Sequence, residues 1–70
     1  MSALLIRVFG KEITTERFEL ACDACKKMAE EWDELLEGEP DDIDAGMNNM
    51  DAWIENGKDN QDYTWKVVRI

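Results

Sequence analysis

Histidine is absent from this 70-residue chain, and serine occurs once, at Ser2. No side chain therefore titrates near neutrality at its ordinary pKa. No Ser–His or Cys–His nucleophile pair can form, and no glycine-rich phosphate loop is present. Cations are scarce: 8 Lys and Arg face 17 Asp and Glu, a formal charge of −9. Contacts to nucleic-acid phosphates or anionic lipid need Lys and Arg, so direct binding to nucleic acid or to a membrane surface is not expected. Cysteine is limited to Cys22 and Cys25, which suits a reducing cytoplasm. No apolar run approaches the ~20 residues of a membrane span. Ala3–Phe9 is too short for a secretory signal and is followed by charge.

Acid is what the chain has in excess, and it is concentrated. Between Glu30 and Asp62 lie thirteen carboxylates against the single cation Lys58, a formal −12. The hydrophobic content of 44%, with three Trp, is enough for one small core, so the charge is displayed on a fold rather than on a disordered tail. One domain spanning residues 1–70 is expected. Solubility is served by a net charge of magnitude about 2–8, and the acidic block alone exceeds that range.

Ala3–Phe9 alternates as a strand, with Leu4, Ile6 and Val8 on one face and Leu5, Arg7 and Phe9 on the other. Gly10-Lys11 breaks it. Thr14 is a suitable N-cap, and Ile13 with Phe18 fits a hydrophobic staple. Phe18, Cys22, Cys25, Ala29, Trp32 and Leu36 recur at helical spacing, which predicts a helix over Thr15–Glu37 stopped by Gly38 and Pro40. The rival reading makes Glu12–Arg17 a second strand turned at Gly10-Lys11. A second helix is expected from Asp41 or Asp42 to Asn56-Gly57, on the spacing of Ile43, Met47, Met50 and Ile54. Lys58–Asp62 reads as a polar loop and Tyr63–Ile70 as a closing strand. The expected architecture is α+β in the order β-α-α-β, with two antiparallel helices on a small antiparallel sheet formed by the terminal strands. Arg7, Lys66 and Arg69 are expected to mark the solvent side of that sheet.

The remaining constellations are weak. Cys22-Asp23-Ala24-Cys25 is a CxxC, and redox chemistry needs its first thiol exposed at a helix N-terminus. The expected helix places the pair about two turns inside, as small buried thiols, and zinc would need two further ligands. Asp41, Asp42, Asp44 and Gly46 miss the EF-hand spacing, because Ile43, Ala45 and Ala52 fall where ligands are required. No metal or cofactor is expected. Paired carboxylates act as acid and base only in a cleft that raises one pKa, so enzymatic activity is not expected either. Met28, Met47, Met50, Trp32, Trp53 and Trp65 read as core, with Trp53 partly exposed at the edge of its stripe.

The acids themselves are the candidate partner-binding surface: Glu30, Glu31, Asp33, Glu34, Glu37, Glu39, Asp41, Asp42, Asp44, Asp51 and Glu55. A helix C-terminus prefers cations, yet the last two turns of the first expected helix hold five acids. The acids opening the second expected helix would instead suit its dipole. Carboxylates at i,i+4, such as Glu30–Glu34 and Asp51–Glu55, would lie about 6 Å apart along a helix axis. Duplex phosphates repeat about every 3.4 Å per strand, a charge density of the same order. Glu30-Glu31-Trp32-Asp33-Glu34 through Glu37-Gly38-Glu39-Pro40-Asp41-Asp42-Ile43-Asp44, in so small a chain, resembles the small phage-encoded DNA-mimic inhibitors of the anti-CRISPR and anti-restriction kind. The resemblance covers size and charge layout and rests on no motif. It implies a non-enzymatic inhibitor, acting in the host cytoplasm, that occupies the DNA-binding site of a basic target such as a CRISPR-Cas surveillance complex. A basic nucleic-acid-binding protein is the partner expected, with a monomer favoured over a dimer. The alternative is an acidic adaptor or assembly module without DNA mimicry.

Overall fold

The computed structural model describes residues 2–70. Its elements are β1 (Ala3–Phe9), β2 (Glu12–Phe18), α1 (Ala21–Leu36), β3 (Asp44–Met47), β4 (Asp51–Glu55), a 3-10 turn (Lys58–Asn60) and β5 (Tyr63–Arg69). The strands form one antiparallel sheet in the order β2-β1-β5-β4-β3, and α1 packs across one face of it. The terminal strands do pair antiparallel, Ala3 against Arg69 and Phe9 against Tyr63, but as the middle of five strands. The expected two-helix β-α-α-β fold is thus corrected to a five-stranded sheet carrying one helix.

Two segments account for the difference. Residues 12–18 form the second strand, the rival reading, and the Thr14 cap is not used. Ile13, Thr14 and Thr15 are β-branched and suit a strand. Gly10 has φ 62°, as the first position of a type II′ hairpin turn requires. Each residue from Ala3 to Phe9 then faces one from Phe18 to Glu12. Where a second helix is expected over residues 41–56, residues 44–55 form the hairpin β3–β4. The 4-3-4 spacing of Ile43, Met47, Met50 and Ile54 coexists with a two-residue period that turns Ala52 and Ile54 inward. Gly46 is worth about 1 kcal/mol less than Ala in a helix interior. Here it serves a close approach, since Gly46 lies opposite Trp53 and a Cβ at Gly46 would collide with the Trp53 ring.

The helix survives over its central stretch. Ala24 and Met28 are buried, and Ala21, Cys25, Trp32, Leu35 and Leu36 pack around them, a stripe at i, i+3, i+4 and i+7. Leu20 is the N-cap residue and its side chain makes no capping hydrogen bond. The chain leaves the helix through Glu37 and Gly38, as the sequence predicted. Beneath α1 lie Ala3 and Leu5 of β1, Ala52 and Ile54 of β4, and Tyr63, Trp65 and Val67 of β5. Trp65 is fully buried. Phe9 meets Tyr63 and Trp65 edge-on, with centroids 5.1 and 5.2 Å away.

The buried face of β1 is the one that carries Arg7, which corrects its expected place on the solvent side. Leu4, Ile6 and Val8 are half-buried on the open face, where Lys66 is exposed. Arg69, opposite the buried Ala3, is exposed at the strand end but shares the face of Trp65 and Val67, which corrects its expected place as well. Met47 is also exposed rather than core, and Trp53 is half-buried on the open face. No helix is long and apolar enough to cross a membrane among the described residues.

Gly46→Ala should lower stability by about 1–3 kcal/mol, because the added methyl forces the Trp53 indole to move in a packed setting. Thermal unfolding followed by circular dichroism measures this, and an unchanged midpoint would remove the close-approach explanation.

Candidate partner-binding surface

The acids fall into three environments. Glu30, Asp33, Glu34 and Glu37 are exposed and recur at i, i+3, i+4 and i+7 at the C-terminal end of α1, so they form one stripe about 10 Å long. No basic residue lies in the last turn. Lys58 partly compensates from the far loop, donating to the Glu34 carbonyl at 3.5 Å.

The second group is assembled by the β3–β4 hairpin. Glu39, Asp42, Asp44 and Glu55 line a shallow concavity with Pro40, Ile43 and Asn56, and Asp41 is exposed beside it. Asp44 and Glu55 are direct cross-strand partners, an arrangement that like charges make unfavourable. Asp44 accordingly pushes the Glu55 carboxyl above its ordinary value, and Asp62 adds to the effect. The negative field also reaches the rim of the core. Burial raises the Tyr63 phenol, and Asp59 and Glu39 raise it further. Asp59 and Asp62 therefore belong to this end of the molecule, although the i,i+4 pattern gave no reason to select them. Among the described residues no three carboxylates or thiols are placed to share a metal ion.

Glu31 and Asp51 stand apart. Glu31 turns inward and is engaged: Arg7 donates from Nε and Nη2 to its two oxygens, both at 2.6 Å, and Trp65 Nε1 donates at 3.0 Å. Burial alone would raise the Glu31 carboxyl; the Arg7 and Trp65 hydrogen bonds outweigh that and hold it below its ordinary value. Arg7 in turn is held above its own, chiefly by Glu31 and with help from Glu16 at 2.8 Å. Asp51 lies at the far end of β4 from Glu55, on the same strand face and about 13 Å away. It faces Lys66 across the sheet and accepts a hydrogen bond from Asn48 at 3.0 Å. The expected Asp51–Glu55 helical pair does not exist, and the acids at 41–44 open no helix.

The cysteines also differ from expectation. Because α1 begins at Ala21, Cys22 and Cys25 lie in its first turns rather than two turns inside. Cys22 is exposed and Cys25 half-buried, and both are free thiols. The Cys25 thiol donates to the Asn49 carbonyl at 3.2 Å.

No protein-family model matches the chain, and comparison with curated proteins and with solved structures found no match.

Glu31→Ala should cost about 2–3 kcal/mol, since it strands a half-buried guanidinium and an indole N–H. Glu30→Ala, one position away and exposed, should stay within about 0.5 kcal/mol. Denaturant unfolding compares the two, and equal losses would remove the distinction. A depressed carboxyl stabilises above its ordinary value of 4.5 and loses that contribution as pH falls through the folded value. The stability gap between the native chain and Glu31→Gln should therefore narrow on acidification below 4.5. Glu55 has the opposite sign, because a raised carboxyl carries its penalty above the folded value and sheds it as pH falls toward 4.5. Glu55→Gln should raise the melting temperature at pH 7, with the gain vanishing near pH 4.5.

Proposed function

We propose that the chain is a non-enzymatic acidic binding protein that presents a surface resembling nucleic-acid charge to a basic, DNA-binding target, such as a CRISPR-Cas surveillance complex. The observation that carries this reading is the excess of acid at one end of the molecule, which Lys58 offsets only in part. Glu30, Asp33 and Glu34 line the last turns of α1 and Glu37 is its C-cap residue, where the dipole disfavours them. Asp44 and Glu55 are paired directly across two strands. Folding is served by neither arrangement, and such conflicts with local stability are expected where binding sets the sequence. A basic groove would meet these carboxylates as it meets phosphates, and counterions would leave the interface as they leave DNA.

The contact set is narrower than the whole acidic block. It comprises Glu30, Asp33, Glu34 and Glu37 on the helix and Glu39, Asp41, Asp42, Asp44 and Glu55 on the rim. Glu31 supports the fold, and Asp51 is paired elsewhere. A second reading, an acidic adaptor without mimicry, is favoured by the half-buried apolar residues Leu4, Ile6, Val8 and Val68 on the sheet face that α1 leaves open.

Immobilised protein incubated with host lysate tests the proposal. Captured proteins should be released by duplex DNA and by salt, with affinity falling at least about tenfold between 50 and 200 mM if several charges are neutralised. Glu34→Lys and Asp44→Lys should each reduce capture while the fold is kept. Asp44→Lys should even stabilise the monomer, because it places a cation opposite Glu55. Capture that resists both DNA and charge reversal would sink mimicry and leave the adaptor reading.

A further inference from the structure

We infer that the free edge of β2 pairs antiparallel with β2 of a second copy, joining two five-stranded sheets about a two-fold axis at Thr15. The two edges of the sheet are treated differently. β3 is short, with only four residues, as guarded edges are. β2 has seven residues in unbroken register with β1, with no Pro and no bulge, and its charges Glu12, Glu16 and Arg17 are of both signs, so they set the register of a partner strand as well as guarding the edge.

The hydrogen-bonding polarity of that edge follows from the rest of the sheet. The Ile70 N–H donates to the Ser2 carbonyl, and the Gly10 N–H to that of Asp62. Even-numbered residues of this stretch therefore bond toward β5, and odd-numbered ones toward β2. Their β2 partners Glu12, Thr14, Glu16 and Phe18 face inward. Ile13, Thr15 and Arg17 consequently direct their N–H and C=O groups outward, where among the described residues nothing pairs with them.

An antiparallel partner must place outward residues opposite outward residues, so a symmetric axis falls on a residue: Thr14, Thr15 or Glu16 near the centre. Charge decides among these. An axis at Thr14 sets Glu12 against the partner's Glu16 and Lys11 against the partner's Arg17. An axis at Glu16 sets two Glu16 side chains together. Only the Thr15 axis avoids like charges: Lys11 meets the partner's Glu19, Ile13 the partner's Arg17, and Thr15 the partner's Thr15. Glu16 is already bound to Arg7 at 2.8 Å. The rim acids Asp44 and Glu55 lie three to four strands away, about 14–19 Å, beyond the screening length at physiological salt. The net charge of −9 therefore weakens this association without preventing it. An edge of this length makes a weak, concentration-dependent dimer, in contrast to the monomer favoured by composition.

Sedimentation equilibrium from about 1 µM to about 1 mM tests this. Ile13 is 70% exposed, so its replacement leaves the monomer intact, as circular dichroism checks. Ile13→Lys faces the partner's Arg17 twice per dimer and should raise Kd about tenfold. Ile13→Glu should leave Kd unchanged or lower it. Lys11→Glu should weaken the dimer, and Lys11→Glu with Glu19→Lys should restore it. A monomer across the whole range overturns the inference. So does a dimer indifferent to these charges, which would associate through another surface such as the open sheet face.

Discussion

The two hydrogen bonds from Arg7 to Glu31 tie the helix to the sheet, and much of the molecule is arranged around them. Arg7 occupies an inward position on β1, between Leu5 and Phe9, where an unpaired guanidinium would be costly. Glu31 answers it from the helix and also accepts the Trp65 N–H, so one carboxylate satisfies a cation and the largest buried side chain together. The planar, bidentate geometry sets both the rotation and the axial position of α1 over the sheet. The apolar stripe of Ala24, Met28 and Trp32 then meets β1, β4 and β5, and Trp32 donates to the Trp53 carbonyl at 3.1 Å. A half-buried ion pair is weak support for stability in itself, and its clearer role is to select one packing of helix on sheet.

That same placement divides the acidic block. With Glu31 inward, Glu30, Asp33, Glu34 and Glu37 turn outward, and the helix delivers them to the end where β4 finishes and β3 begins. The hairpin then brings Asp44 and Glu55 together against their mutual repulsion. Negative charge gathers at one end of the sheet, and the β2 edge at the other side is close to neutral. The molecule thus has two surfaces of different character, a charged one suited to steering a basic partner and a backbone edge suited to strand pairing.

Several features were legible in the residues. β5 alternates with a two-residue period, β1 is a short apolar run bounded by a Gly10 turn, and the helix follows a long 3.6-residue stripe ended by Gly38. Other features were not. Ile43, Met47, Met50 and Ile54 satisfy a helical period, while Ala52 and Ile54 satisfy a strand period. A short segment fitting both is settled by its neighbours. Thr14 suits an N-cap locally, but β1 offers seven paired positions to the segment that carries it. Arg7 looked like a solvent marker because a lone arginine on a strand usually is one, and its partner lay 24 residues away.

By itself the sequence determined the amount and sign of the charge, the absence of histidine chemistry, the first and last strands of the chain and the body of the helix. These depend on composition or on local periodicity. Tertiary structure decided which face of β1 is buried, that residues 44–55 form a hairpin, and which carboxylates meet. Those outcomes depend on pairing between distant segments: β5 receives β4, Trp53 covers Gly46, and Arg7 claims Glu31. The acidic block is continuous in sequence, but only the fold separates the carboxylate that holds the structure together from those left facing solvent.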